Sequence, residues 1–367
     1  MSDSRLTPPA HDEVEVSIFG PGKGESIAVH IGDGEWLIVD SCIDQRSKEI
    51  PVLRYLENIG VDVSAEVRLV VGTHAHDDHI AGLGRVFQAC HNAQFVCSSA
   101  STKEEFLRHV EADGQIEAQY HLRQSIYNEY REIFAVLKSR PRGRRFKFAM
   151  AELPLLARPG SGQAPAVIVT ALSPSSEAVE RAMQSLADSV AVAADEKRTG
   201  TIDPNELAVA IYIVVGDTAV LLGADLLRGP DGCGWQAVLA LEHFIADPLA
   251  SVFKIPHHGS QNAHHDDVWT RLVSGEVISL VAPYRKGSKP LPSPEDVERL
   301  KGLSKAVYCS ANPRPPTPNK AVRKTAASLS GFASSVRTVG YAGQVRARRK
   351  CGADEWAVTC FAPGLQL

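Results

Sequence analysis

Short apolar runs rich in β-branched residues recur along the chain, and stretches with helical spacing fall between them. Val14 to Phe19 alternates like a half-buried strand; Glu25 to Val29 and Glu35 to Asp40 follow it across glycine-bearing turns. Further strands are predicted at 67–71, 94–97, 166–172, 205–215, 218–222, 251–256, 277–282, 345–348 and 356–359. Helical spacing covers 47–59, 103–138, 176–193, 234–244 and 293–301, the last opening on the cap Ser293-Pro294. Residues 1–13 read as a polar tail, and 312–318 as a proline-rich loop. Strands and helices alternate through both halves with no long linker. The expectation is therefore one α/β domain over 14–367, with a helical insertion near 101–150.

Composition changes little of this. A length of 367 residues with 44% hydrophobic side chains suffices for a large core, and a formal net charge of −4 argues against a nucleic-acid coat or a membrane-surface protein. The most apolar long segment, Leu207 to Ala224, is cut by Gly216-Asp217, so two strands and a turn describe it better than a membrane helix. The N-terminus has no apolar run of the kind a signal peptide needs, and seven scattered cysteines form no Cys-x-x-Cys pair. Both features lead us to expect a cytoplasmic protein with reduced thiols.

The chemistry concentrates in Thr73-His74-Ala75-His76-Asp77-Asp78-His79. The apolar run 67–71 precedes it and a helix start follows, so a strand delivers three histidines and their neighbouring carboxylates to one turn. His74 and His76 are two apart and point the same way in extended backbone; Asp78 and His79 lie where the chain bends and approach from another side. Imidazole and carboxylate suit zinc or another first-row divalent ion, manganese included. A second cationic feature lies at 140–147, where five of eight residues are Arg or Lys. Arg142, Arg144, Arg145 and Lys147 form a basic loop that either contacts substrate phosphates or an acidic partner, or merely connects two elements.

The 73–79 stretch resembles the signature of the metallo-beta-lactamase superfamily of hydrolases, which implies a four-layer αβ/βα sandwich and a site for one or two zinc ions. The resemblance narrows along the chain. Leu172-Ser173-Pro174, the hairpin from Asn205 ending in Gly223-Ala224-Asp225, and Pro256-His257-His258-Gly259-Ser260 are similar to the soluble β-lactamase-like domain of ComEC-type DNA-uptake proteins and to phosphorylcholine esterases. The likeness runs from about residue 14 to about 305 and excludes the membrane portion of the competence proteins.

Position by position, it implies that His74, His76 and one of His257 and His258, with His258 favoured, hold a first ion. Asp78 and His79 then hold a second, and Asp225 bridges the two. Asp40 would orient a ligating imidazole, and His257 would face substrate as a proton or hydrogen-bond donor. Relatives carry a histidine where this chain has Leu291, which cannot coordinate and leaves the second ion short of a ligand.

The activity implied is hydrolysis by a metal-bound hydroxide, oriented by Asp78 and directed at a phosphodiester in nucleic acid or a nucleotide. Two alternatives stay open: an ester, lactone or thioester substrate, and a weakly catalytic metal-binding role as the partner of another protein. Oligomeric state is not legible.

Overall fold

A computed structural model describes residues 7–45, 47–99, 117–141, 146–162, 164–192, 203–285, 289–314 and 343–367. The first sheet is built from β1 (Glu13–Phe19), β2 (Ser26–Ile31), β3 (Trp36–Val39), β4 (Val67–Gly72), β5 (Gln94–Ser98) and β6 (Phe146–Ala149). The second holds β7 (Pro154–Arg158), β8 (Val167–Ala171), β9 (Ile211–Val215), β10 (Thr218–Leu222), β11 (Ala250–Lys254), β12 (Val273–Val281) and β13 (Ala306–Cys309). The chain then returns to the first sheet as β14 (Gln344–Lys350) and β15 (Ala357–Phe361), and adds β16 (Leu365–Gln366) to the second. Each sheet has eight strands among the described residues, in the orders β15-β14-β1-β2-β3-β4-β5-β6 and β16-β13-β12-β11-β10-β9-β8-β7.

The helices among the described residues are α1 (Pro51–Asn58), α2 (Val63–Glu66), α3 (Asp77–Ile80), α4 (Leu83–Ala89), α5 (Glu117–Ser139), α6 (Ser176–Val192), α7 (Gly234–Leu239), α8 (Asp266–Arg271) and α9 (Pro294–Leu303).

Alternation decides the layers. Val14, Val16 and Ile18 of β1 meet Ile211, Ile213 and Val252 of the second sheet in a core between the sheets. The other face of the first sheet packs Ile38 and Val70 against Leu56, Leu83, Phe87 and Ile133 of α1, α4 and α5. The outer face of the second packs Leu221 and Phe253 against Trp235, Val268 and Leu300 of α7, α8 and α9. This is the αβ/βα sandwich.

Several boundaries differ from the sequence reading. Residues 146–149, placed in the insertion, are β6, parallel to β5; of the rest of 101–150, α5 is described and 101–116 and 142–145 lie outside the described residues. The strand expected from Asn205 begins at Ile211, because Pro204–Leu207 forms a 3-10 turn. The helix expected over 234–244 ends at Leu239. Residues 207–224 are indeed two antiparallel strands, and among the described residues no helix is long and apolar enough to cross a membrane.

Helix α5 has a definite duty. Glu129 accepts hydrogen bonds from Gly82 N at 2.7 Å and Gly84 N at 2.9 Å, satisfying amides at the start of α4 and fixing the chain that leaves the histidine turn.

Candidate metal centre

Strand β4, central and parallel to both neighbours, carries the first set of donors. Thr73, at its exit, is held by Asp40: the Thr73 amide donates to Oδ1 at 2.7 Å and its hydroxyl to Oδ2 at 2.7 Å. The hydroxyl's single proton is spent there, so it accepts from His74 Nδ1 at 2.9 Å, leaving His74 Nε2 as the free lone pair. Asp40 Oδ2 also accepts from His79 Nδ1 at 2.8 Å. His76 Nδ1 meets Asn205 Oδ1 at 3.1 Å. Gly24 closes on this turn from below: a side chain at that position would lie 2.8 Å from the carbonyl oxygen of Asp78, to which the Glu25 amide donates.

The second sheet supplies the rest. β10 and β11 are parallel neighbours, so their exits place Asp225 beside His257 and His258. The Ala224 carbonyl ties the exits together by accepting from the His257 amide at 3.1 Å and from Lys254 Nζ at 2.7 Å. His258 donates from Nδ1 to the Ala282 carbonyl at 3.0 Å, which turns Nε2 inward.

Four groups converge across the gap. His79 Nε2 lies 3.3 Å from Asp225 Oδ2 and 3.9 Å from Asp78 Oδ2; His258 Nε2 lies 3.4 Å from each of those oxygens. Tetrahedral N and O donors at about 2.0–2.2 Å from a divalent ion stand roughly 3.3–3.6 Å apart, so the spacing fits. Asp78, His79 and His258 form one compact donor group, and Glu25, His79 and Asp225 another. His74 Nε2 and His79 Nε2 are buried and make no hydrogen bond among the described residues. Fully buried nitrogens left so are costly unless something else binds them.

The backbone is strained here. Asp40, Ala224, His257 and His258 have φ of 59°, 45°, 45° and 54°. They are four of the seven non-glycine residues in that left-handed region among those described. Such conformations cost about 1–3 kcal/mol each and mark sites where side-chain direction outweighs backbone comfort.

Charge completes the picture. Burial works against ionisation of Asp225 and Asp78, yet His79 and His258 outweigh it and hold both carboxyls below the usual range. Burial pushes His74 well below its ordinary value and keeps it neutral. In His79 burial is outweighed by Asp225, Asp40 and Glu25, and its pKa rises. The arrangement gathers carboxylates and imidazoles in a buried cluster suited to a cation.

His258 forms a compact donor group with Asp78 and His79, and its Nε2 is also 3.4 Å from Asp225 Oδ2. Among the described residues His76 enters no compact group of three donors. His257 is turned outward, with Nδ1 3.0 Å from Asn262 Oδ1. Leu291 brings no donor; its backbone exchanges two hydrogen bonds with Tyr284, whose ring stacks on His258 at 5.2 Å. Of the basic stretch, Arg142, Arg144 and Arg145 lie outside the described residues, and Lys147 donates to the Pro154 and Leu155 carbonyls. Glu25, Lys254 and Asn205 were missed as site residues: each is one polar position in or beside an apolar run, with no local mark of its partners.

A sequence model of the metallo-beta-lactamase superfamily matches residues 20–169, which include the 73–79 turn. Among solved structures, the hydrolase AbOPH of the beta lactamase superfamily is 14% identical over 46% of this chain and 69% of its own, with a TM-score of 0.29. AidC, a dizinc quorum-quenching lactonase, is 13% identical over 55% of this chain and 56% of its own, with a TM-score of 0.31. Zinc-bound PqqB from Methylobacterium extorquens is 13% identical over 65% and 71%, also with a TM-score of 0.31. No curated protein matches the sequence.

Proposed function

We propose that the protein is a metal-dependent hydrolase of phosphodiesters, in nucleic acid or a nucleotide, with zinc as its ion. The observation that carries the metal reading is the convergence of four groups, with each of His79 Nε2 and His258 Nε2 lying 3.3–3.9 Å from both Asp78 Oδ2 and Asp225 Oδ2. Those four would hold the ion; when bound, it supplies a Lewis acid and lowers the pKa of water toward about 7.

The chain's own residues do the remainder. Asp40 fixes the tautomer of His79 directly and of His74 through Thr73. Asn205 steadies His76. His257, half-buried and lowered in pKa by burial, is neutral near pH 7; Asn262 holds its Nδ1, and its Nε2 is the group that faces substrate and can donate a hydrogen bond to a developing oxyanion. Asp78, at the first turn of α3, orients the attacking water.

The phosphodiester assignment rests on the likeness of the 172–174, 223–225 and 256–260 segments to ComEC-type domains. Cysteines that are free and largely buried support a reducing compartment such as the cytoplasm. The test is a panel of zinc-loaded and manganese-loaded protein on DNA, RNA, cyclic nucleotides and bis-nitrophenyl phosphate, beside lactones and thioesters, with Asp78→Ala as control. Phosphodiester cleavage lost in Asp78→Ala is expected. Cleavage of carboxyl esters alone would overturn the substrate class, and no metal-dependent cleavage would overturn the enzyme.

A further inference from the structure

Behind the donors lies an ion pair that the hydrolytic reading does not use. Lys254, the last residue of β11, is fully buried, and its Nζ sits 2.5 Å from Glu25 Oε1. Glu25, also buried, enters from the β1–β2 turn of the opposite sheet. The pair touches the metal donors from the rear. Lys254 Nζ lies 3.6 Å from Asp225 Oδ1 and donates to the Ala224 carbonyl at 2.7 Å. Glu25 stands 3.8 Å from Nδ1 of His79 and 3.8 Å from Nδ1 of His258.

Removing two charges from water costs several kcal/mol per ion, and apolar residues of like volume serve stability as well or better. A buried lysine in a central strand therefore calls for a reason beyond stability. The geometry offers one. Asp225 has two oxygens: Oδ1 is drawn toward Lys254, and Oδ2 is left to face both imidazoles. Without a cation behind it, a carboxylate next to Asp78 is free to rotate, or to be pushed aside by its anionic neighbour.

Resting on the metal reading above, we propose that Lys254, held by Glu25, is a positioning residue for metal capture. It is a built-in cation that pins one oxygen of Asp225 and so presents the other to the ion in advance. The same lysine grips the strained Ala224 backbone, so the Asp225 exit and the histidine exit keep their spacing before any ion arrives. The pair also joins the two sheets directly beneath the site.

The test compares the full-length wild type with Glu25→Gln/Lys254→Met, a neutral double variant of similar volume, with zinc affinity measured by competition against a chromophoric chelator. Outer-shell partners of this kind are worth roughly ten- to a hundredfold in metal affinity. We expect that loss in the double variant, together with altered visible bands of the cobalt-loaded protein as the Asp225 oxygen is displaced. Unchanged zinc affinity and an unchanged cobalt spectrum would overturn the proposal while leaving the metal site intact; a wild type that binds no zinc would instead overturn the metal reading. Because the variant has to fold to be compared, a second measurement uses only the wild type. In crystals of metal-stripped protein Asp225 should keep Oδ1 toward Lys254 and Oδ2 toward His79 and His258, and a carboxylate rotated away would overturn the proposal.

Discussion

Two groups of buried carboxylates differ in one respect that separates scaffold from site. On the helix-covered face of the first sheet, Glu15 accepts from Ser17 Oγ and Tyr55 Oη at 2.6 Å each on Oε1, and from Arg348 Nε at 2.7 Å on Oε2. Every oxygen is used, and the cluster is closed. At the strand exits Asp225, Asp78 and Glu25 crowd around imidazoles, and His74 Nε2 and His79 Nε2 make no hydrogen bond among the described residues. Both clusters are polar, buried and long-range; only the second is incomplete without a cation. Burial of charge alone thus does not mark function, whereas burial with aimed, unsatisfied donors does.

The largest effect should come from opening the incomplete cluster further. Asp78→Ala should cut hydrolysis at least about a thousandfold, roughly 4 kcal/mol of barrier, and lower zinc content, yet leave the unfolding midpoint of metal-free protein nearly unchanged or raised. Elemental analysis beside urea titration checks both halves. Glu15→Ala should do the reverse, costing about 3–5 kcal/mol of stability because Arg348 loses its partner, with zinc affinity unaltered. A Glu15 variant that unfolded normally but lost zinc would erase the distinction between the clusters.

A smaller effect involves His30, the cross-strand neighbour of Glu15. Its Nδ1 donates to the Glu13 carbonyl at 2.7 Å while Nε2 accepts from the Gly34 amide at 3.1 Å, so the fold holds it neutral. Burial brings its pKa down to about 4. The unfolded chain binds the proton first, so stability is full above about pH 6.5 and falls by roughly 1–3 kcal/mol as pH drops toward 4. Unfolding curves across that window should lose this share of their slope in His30→Gln, which keeps one donor and one acceptor. The smallest change expected is in Asn205→Ala, where His76 loses its partner: about tenfold in activity, with little change in stability by thermal melt.

The first donor set was legible because it is local. His74, His76, Asp78 and His79 follow one apolar strand, and period-two spacing and a helix start suffice to aim them. The second set was legible only as positions. Asp225 and the histidine pair could be placed at strand exits, but the grouping of His258 depends on two successive left-handed residues, which no pattern of apolar positions announces. Glu25 and Lys254 were not legible at all. Lys254 reads as the polar member of an alternating strand, and its partner lies 229 residues away in the opposite sheet. Strands β6 and β7 were hidden for a different reason: arginines, lysine and prolines at sheet edges look like connectors.

Anomalous diffraction at the zinc edge from crystals of the zinc-loaded protein most directly tests whether two sheets close on one cation. A peak enclosed by His79 Nε2, His258 Nε2, Asp78 Oδ2 and Asp225 Oδ2 is the predicted result. Zinc held elsewhere, with those four atoms unliganded, would contradict it.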